Sequence, residues 1–324
     1  MPDVYFYEAF QEEAELLKHF LPENITAEFD WRTIQESGHT LPPASLISIR
    51  TQSIVPPVWF SGLQGILSRS TGYDYLEQLS KTVESSVQFG YLPLYCNRSV
   101  AEQAILLCLA LLRRLPQQSR HFFQFHRDGL TGRECAAKTL LVVGVGNIGY
   151  EVVKIGTGLG MQVLGVDIVR KHSDVNYIEI SEGLKQADII ICAMNLTPEN
   201  HNYFNVDRLR TAKRGVIFIN VARGEQSPST AILQLINEDH LGGVGLDVYC
   251  EESILAVSLR SGQTSPDKEV QAILELAKLP NVILTPHNAF NTIEAVERKA
   301  EQSIAQIEYF LENSRFLWPV PING

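Results

Sequence analysis

Residues 139–149 read TLLVVGVGNIG, an apolar run that passes directly into three glycines with the spacing G-x-G-x-x-G. The apolar residues 140–143 predict a buried parallel strand, and Gly144 permits the tight turn that follows it. Gly146 lets the backbone approach a pyrophosphate, and Gly149 lets the next helix pack close to the sheet. The N-terminus of that helix offers free N–H groups to phosphates. The stretch therefore predicts a dinucleotide site at the end of this strand.

The next predicted strand, residues 161–166, indicates which dinucleotide is favoured. It ends in Asp167, which lies 18 residues after Gly149. A carboxylate at this place accepts hydrogen bonds from the adenosine ribose hydroxyls and repels a 2′-phosphate. Arg170 and Lys171 follow closely and could bind such a phosphate, so NADP stays open as the less favoured cofactor. The expected cofactor is NAD.

Strand and helix patterns alternate from residue 139 onward. The alternation predicts a parallel sheet with helices on both faces, which is a Rossmann dinucleotide-binding domain. Ligands bind such sheets at the carboxyl ends of the strands, so polar residues at these ends become functional candidates. Further strands are predicted over residues 188–193, 216–220, 244–248 and 282–285, and helices over residues 148–159, 181–186, 229–239 and 267–277.

The first hundred residues repeat this alternation on a smaller scale, with strand patterns at 4–7, 45–49 and 65–68. They predict a second, smaller α/β domain. The last long helix, residues 292–313, is expected to return and cover it. We therefore expect a substrate domain formed by residues 1–98 plus 292–324, and an NAD-binding domain formed by residues 99–291.

One predicted helix lies between the two domains, over residues 100–115. Ser99 is its expected N-cap, and the helix is expected to end before Pro116. Its residues are apolar nearly all round, which predicts burial either within the chain or against a second subunit.

Composition excludes several classes of protein. The net charge of −10, from 27 basic and 37 acidic residues, argues against a nucleic-acid surface. Five scattered cysteines without C-x-x-C spacing argue against a disulfide framework or a zinc site. We therefore expect no metal, and we expect the protein to reside in the reducing cytoplasm. No signal peptide is recognisable, and the longest apolar run, residues 104–112, is too short to span a membrane. A small-molecule partner is expected.

Three ionisable residues, Arg223, Glu252 and His287, follow predicted strands of the larger domain. Together they suit the reduction of a 2-oxo acid. Histidine can donate a proton to the carbonyl oxygen, a carboxylate orients the ring and favours the imidazolium, and arginine binds a carboxylate with a fixed fork. Taken singly, each is as readily a strand-end, turn or surface residue. The pattern alone does not distinguish Glu252 from Glu251.

The chain resembles the D-isomer-specific 2-hydroxyacid dehydrogenases over nearly its whole length. The resemblance rests on several motifs in order. These are SRSTGYD at 68–74, AE at 101–102, VGVGNIG at 143–149, LTPE at 196–199, INVARG at 219–224, GLDV at 245–248 and TPH at 285–287. Ser253 stands where the family often has proline. The long segment 254–265 is similar to the D-lactate dehydrogenase branch; it would either cap the active site or lengthen a surface loop.

The resemblance implies specific roles. Arg223, Glu252 and His287 would be the catalytic trio, and the spacing from Arg223 favours Glu252 over Glu251. The backbone N–H groups of Thr71 and Gly72 would bind the substrate carboxylate, and Arg50 is a further substrate-binding candidate. Asp247 would hold the nicotinamide amide. The residues assigned to the cofactor are Gly144, Gly146, Asn147, Ile148, Gly149, Asp167, Thr197, Ala222 and Asp247.

The resemblance also implies a flavodoxin-like smaller domain, a homodimer and an NAD-dependent dehydrogenase. Its expected reaction interconverts a small 2-oxo acid and the D-2-hydroxy acid, with pyruvate and D-lactate as the leading pair. A glyoxylate or hydroxypyruvate reductase is the alternative within enzymes. The alternative from another class is an NADH-sensing binding protein similar to the corepressors that share this fold.

Overall fold

The computed structural model describes residues 1–82 and 86–321, which form two compact units. One unit, called here the small unit, combines Met1–Cys96 with Asn291–Gly324, and the other, the large unit, is Asn97–Phe290. The first boundary lies two residues before the predicted one because a helix begins at Asn97. The second lies one residue earlier than predicted. Residues 322–324 of the expected substrate domain lie outside the described residues.

The strands are short and apolar. They are β1 Val4–Phe6, β2 Ala27–Phe29, β3 Leu46–Ile49, β4 Gly65–Ser68, β5 Gln88–Gly90, β6 Thr139–Val143, β7 Gln162–Val166, β8 Ile189–Cys192, β9 Val216–Asn220, β10 Leu241–Leu246 and β11 Val282–Leu284.

The helices fill the connections between the strands. They are α1 Gln11–Phe20, α2 Ile34–Ser37, α3 Asp74–Thr82, α4 Asn97–Leu112, α5 Leu115–His121, α6 Asn147–Gly158, α7 Ile180–Gln186, α8 Val206–Arg210, α9 Ser229–Asn237, α10 Glu252–Ser261, α11 Lys268–Leu276 and α12 Ile293–Asn313. Among the described residues, none of these helices is long and apolar enough to cross a membrane.

The small unit is a five-stranded parallel sheet in the order β2-β1-β3-β4-β5. This is the flavodoxin-type strand order, so the predicted smaller α/β fold is confirmed. Helix α12 packs against α1 and β4, as expected for the returning C-terminal helix. Helix α12 lies close to β4, since a Cβ at Gly65 of β4 would lie 2.5 Å from the Phe310 ring of α12.

A fully buried ion cluster joins three parts of the small unit. Oε1 of Glu13 in α1 lies 2.9 Å from Nε of Arg69, which follows β4, and 2.7 Å from Nζ of Lys299 in α12. All three side chains have zero exposure. Arg69 also donates to the Tyr7 carbonyl at 2.7 Å and to the Ser48 hydroxyl at 3.0 Å. Burial alone would raise the pKa of Glu13, but the adjacent cations outweigh it and lower that pKa to about 2.

The large unit is a six-stranded parallel sheet in the order β11-β10-β9-β8-β6-β7. The order reverses at β6, which has the next strand of the chain on one side and later strands on the other. Such a switch point is where open α/β sheets bind dinucleotides, so the predicted Rossmann fold is confirmed. All six strands end together, because their last residues are paired in one row: Val166, Val143, Cys192, Asn220, Leu246 and Leu284.

The limits predicted for the first helix of the large unit are wrong. Helix α4 begins at Asn97, so Ser99 lies inside it, and the Ser99 hydroxyl donates to the Phe290 carbonyl at 3.2 Å. The helix ends at Leu112, and Pro116 stands in the first turn of α5. Proline is tolerated in a first turn because its missing N–H would have no partner there. The break between the two helices comes from Arg114, which has φ +53°.

The segment 254–265 is mostly helical, so it does not simply lengthen a surface loop, and its capping of the active site stays a prediction. Helix α10 runs through most of it, begins at Glu252 and ends at Ser261, before Gly262 in the left-handed region with φ +70°. Leu255 and Ser258 are the buried residues of this helix. The first turn of α10 therefore positions the carboxylate of the predicted trio.

Candidate active site

The glycine loop after β6 has the geometry that the motif predicts. Gly144 has φ +90°, and a Cβ there would lie 2.6 Å from the backbone nitrogen of Met194. A Cβ at Gly149 would lie 1.8 Å from the Gly144 carbonyl oxygen. Both positions therefore require glycine. At Gly146, by contrast, a Cβ would meet no atom within 4 Å. The open side of this loop lies at the N-terminus of α6, which fits the approach of a dinucleotide pyrophosphate.

Asp167 lies directly after β7 and reaches the same loop. Its Oδ2 accepts a hydrogen bond from the Val145 N–H at 2.6 Å, and its Oδ1 accepts one from the Val169 N–H at 2.8 Å. The carboxylate thus stands beside the glycine loop, where the ribose role requires it. Asn147 and Ile148, two further cofactor candidates, form the first turn of α6. Their contacts with the cofactor stay predictions.

The catalytic candidates follow three neighbouring strands. The last residues of β9, β10 and β11 are paired in one row, and Arg223 comes three residues after β9. Glu252 comes six residues after β10, and His287 comes three residues after β11. The sheet register therefore brings the three segments to a single edge, as the sequence predicts.

His287 and Glu252 form a tight pair. Nδ1 of His287 lies 2.7 Å from Oε1 and 2.9 Å from Oε2 of Glu252. The two side chains are 27% and 24% exposed, so the pair is accessible to a ligand without being fully solvated. Glu251 is exposed and has φ +53°, at the residue before α10. A carboxylate on Nδ1 fixes the ring and places a proton on that nitrogen, which leaves Nε2 as the nitrogen for proton transfer.

Arg223 lies in a turn that a buried asparagine closes. The side chain of Asn220 is fully buried; it donates to the Arg223 carbonyl at 2.8 Å and to the Ser227 hydroxyl at 2.7 Å, and it accepts from the Ala222 N–H at 2.9 Å. The half-buried Arg223 guanidinium donates from Nη1 to the Ala222 carbonyl at 2.9 Å. These bonds set where the arginine leaves the sheet. A Cβ at Gly224 would lie 1.8 Å from the Tyr249 carbonyl carbon, so only glycine fits after the arginine.

Asp247 is engaged with the histidine loop. Its Oδ1 accepts from the Thr285 hydroxyl at 2.5 Å and from the Asn288 N–H at 2.9 Å, and its Oδ2 accepts from the Ala289 N–H at 2.9 Å. These hydrogen bonds and the nearby His287 lower the pKa of Asp247, but burial outweighs them, so the pKa is raised. The carboxylate therefore holds the loop on both sides of His287. Its assignment to the nicotinamide amide stays a prediction.

The remaining predicted residues are distributed between the units. Thr197 is exposed after β8, where its N–H donates to the Asn200 side chain at 2.9 Å. In the small unit, Arg50 follows β3, and its guanidinium lies 5.2 Å from the centre of the Phe10 ring. Thr71 and Gly72 follow the adjacent strand β4 and are half-buried. Their substrate role stays a prediction.

Sequence reasoning missed three buried polar residues near the segments that carry the trio. Asn220 is the last residue of β9, Tyr249 comes three residues after β10, and Gln226 is fully buried with its amide donating to the Asn195 carbonyl at 3.0 Å. A signal was available only for Asn220, since a polar residue at the end of an apolar strand of a parallel sheet lies at the ligand edge.

Comparison with known proteins gives the family. The model of the D-isomer specific 2-hydroxyacid dehydrogenase NAD-binding domain matches residues 105–289. A D-lactate dehydrogenase from Streptococcus agalactiae is 30% identical over 260 residues, covering 78% of this chain and 77% of that protein. An aromatic 2-oxoacid reductase from Clostridium sporogenes is 29% identical over 255 residues, covering 77% and 76%.

The solved structures agree over the whole length. The D-lactate dehydrogenase of Aquifex aeolicus, complexed with NAD and lactic acid, has a TM-score of 0.86 and 27% identity, and the match covers 99% of both chains. The chain therefore belongs to the D-isomer specific 2-hydroxyacid dehydrogenase family and is an NAD-dependent oxidoreductase that acts on 2-hydroxy acids.

Proposed function

We propose that this enzyme interconverts pyruvate and D-lactate, with Arg223, Glu252 and His287 as its catalytic residues. The choice of substrate is supported by the D-lactate dehydrogenases among the relatives, at 30% identity in Streptococcus agalactiae and 27% in Aquifex aeolicus. Bound NADH supplies the hydride that reduces the carbonyl carbon.

The single observation that carries the mechanism is the His287–Glu252 pair, with contacts of 2.7 and 2.9 Å to Nδ1. Reduction leaves negative charge on the former carbonyl oxygen, and the imidazolium donates its Nε2 proton to that oxygen. Glu252 stabilises the charged ring before the transfer and keeps Nδ1 protonated after it. In the oxidation of D-lactate, neutral His287 accepts the hydroxyl proton at the same nitrogen.

Arg223 binds and orients the substrate. Its guanidinium matches the planar geometry of a carboxylate through two parallel N–H bonds. Arg223 follows β9, which pairs with β10, the strand before Glu252, and β10 pairs in turn with β11, the strand before His287. Thr71 and Gly72 contribute backbone N–H groups to the substrate carboxylate, and Arg50 contacts the substrate from the loop after β3. Asp167, Thr197, Ala222 and Asp247 contact the cofactor together with the glycine loop and the first turn of α6.

We also propose a homodimer. Much of α4 is buried inside the large unit, so this helix is not the main contact surface. The exposed apolar side chains lie just beyond it: Phe122, Phe123 and Phe125 are 69%, 90% and 79% exposed. Three neighbouring exposed phenylalanines are unusual for a surface that faces only water, and a second copy of the chain would cover them. The cytoplasm is the proposed compartment, since the five cysteines are free thiols.

The experiment is to mix the purified protein with NADH and a panel of 2-oxo acids and to follow the loss of NADH absorbance. The panel is pyruvate, glyoxylate, hydroxypyruvate and phenylpyruvate. The expected result is the highest kcat/KM with pyruvate. A clear preference for another member would replace the substrate and keep the reaction, whereas no turnover with any member would overturn the proposed function.

A further inference from the structure

The three segments that carry Arg223, Glu252 and His287 are separate in the chain, and one buried residue contacts all three, through its side chain on one side and its backbone on the other. Tyr249 lies three residues before Glu252 and is 7% exposed. Its hydroxyl donates to the Thr285 carbonyl at 2.7 Å, and the Leu246 carbonyl lies 3.2 Å away. Burial, with the nearby Asp247, raises the pKa of the Tyr249 phenol, so this hydroxyl stays a donor throughout the working range of pH.

The carbonyl that Tyr249 reaches is part of the histidine turn. The Thr285 oxygen also accepts the backbone N–H of His287 at 2.9 Å. His287 has φ +50°, in the left-handed region that a residue with a Cβ rarely enters. A backbone held in this conformation needs surrounding structure to maintain it. The phenol of Tyr249 anchors the acceptor that closes this turn.

The backbone of Tyr249 meets the arginine turn on its other side. A Cβ at Gly224 would lie 1.8 Å from the Tyr249 carbonyl carbon and 2.1 Å from its oxygen. The next residue, Cys250, donates from Sγ to the Gly224 carbonyl at 3.1 Å. The turn after Arg223 and the turn before Glu252 are therefore in direct backbone contact.

We propose that Tyr249 is a positioning residue that aligns His287 with Glu252 and Arg223. Its hydroxyl fixes the histidine turn, and its backbone fixes the arginine turn, so the spacing of the trio depends on this residue. It touches neither substrate nor cofactor in this role. The inference rests on the proposed function of the trio, and it adds the residue that holds the trio together.

The variant that tests this is Tyr249→Phe, which keeps the buried ring and removes only the hydroxyl. Asp247 still binds Thr285, Asn288 and Ala289 through its own three hydrogen bonds, so the loop keeps its fold. The matched control is Tyr203→Phe, a half-buried tyrosine of the same unit whose ring packs 5.2 Å from that of Phe204.

Two readouts are required. The first is steady-state kinetics with pyruvate: Tyr249→Phe is expected to lower kcat by about tenfold through misplacement of the reacting groups, while the KM for pyruvate and NADH binding change by less than about twofold. The second is hydrogen exchange of the peptide that contains Thr285 and His287, measured without substrate. Its protection is expected to fall in Tyr249→Phe and to stay unchanged in Tyr203→Phe.

Unchanged kcat together with unchanged exchange in Tyr249→Phe would overturn the proposal. Equal losses of kcat in the two variants, in proportion to a lowered Tm, would also overturn it, since the effect would then be general destabilisation. Failure of the wild-type enzyme to reduce any 2-oxo acid would overturn the proposed function instead, and the exchange measurement would still test the anchoring of the histidine turn.

Discussion

Replacement of Glu252 by glutamine tests the carboxylate that the structure places on His287. The change keeps the size of the side chain and one oxygen acceptor for Nδ1–H, but it removes the negative charge. A hydrogen bond to a charged group contributes about 1.5 to 3 kcal/mol and a neutral one about 0.5 to 1.5 kcal/mol, so the imidazolium loses about 1 to 1.5 kcal/mol of stabilisation. This corresponds to a factor of about 5 to 12 in kcat/KM for a step in which the ring donates its proton.

The assay is reduction of pyruvate at saturating NADH, followed by the loss of NADH absorbance. In Glu252→Gln, kcat/KM is expected to fall by the factor of about 5 to 12, because a neutral hydrogen bond to the His287 ring replaces a charge-assisted one.

Glu251→Gln is the matched control because the two glutamates are adjacent and only Glu252 contacts His287. Its kcat/KM is expected to stay within about twofold of the wild type, as for a surface substitution. Unchanged kcat/KM in Glu252→Gln, or an equal loss in both variants, would show that Glu252 is not the partner of the acid.

Further changes test the other parts of the account. His287→Gln is expected to lower turnover by roughly 100- to 10,000-fold with NADH binding retained, and near-normal turnover would remove it from the mechanism. Gly146→Ala is expected to weaken NADH binding in a fluorescence titration without lowering the Tm, because its Cβ would meet no protein atom within 4 Å; unchanged affinity would contradict the cofactor placement. Glu13→Gln leaves the fully buried Arg69 guanidinium without its carboxylate, whereas Lys299, whose pKa burial and the nearby arginines already lower to about 7, can lose its proton. The variant is expected to lower the free energy of unfolding by about 3 to 5 kcal/mol at neutral pH, with the exposed Glu12→Gln as control. Because the pKa of Glu13 is lowered to about 2 in the folded state, the stabilisation by its carboxylate is fully present above the unfolded-state pKa and is lost as the pH falls towards 2. The free energies of unfolding of the wild type and of Glu13→Gln should therefore converge in acid. A difference that stays constant with pH would contradict this. Phe123→Ser is expected to weaken self-association by about 100-fold or more in sedimentation or light scattering. Each dimer would lose the burial of two phenylalanine rings, and each burial contributes about 1.5 to 3 kcal/mol. An unchanged assembly would exclude this surface as the dimer interface.

The sheet of the large unit could be predicted because its strands are short apolar runs between helical patterns. The bounds of β9 agree with the prediction to the residue, and Gly144 and Gly149 occupy positions that exclude any Cβ. A motif that depends on backbone geometry leaves a clear trace in the sequence, since only glycine fits it. The His287–Glu252 contact could be anticipated because two adjacent parallel strands bring their following residues to one edge.

Other features could not be predicted because they depend on contacts between distant segments. The start of α4 is one example: Ser99 has the residue type of an N-cap, but its hydroxyl bonds to the carbonyl of Phe290, and the helix begins two residues earlier. The partners of Tyr249 are another, since nothing in the local sequence distinguishes its phenol from that of an ordinary core tyrosine. Glu13 and Lys299 lie 286 residues apart and meet only through the return of α12.

The proposed reaction converts pyruvate and NADH to D-lactate, so the configuration of the product tests it. The measurement is chiral analysis of the lactate formed when the wild-type enzyme consumes NADH in the presence of pyruvate. We expect D-lactate in an amount equal to the NADH oxidised. Formation of L-lactate, or no lactate at all, would exclude the proposed reaction.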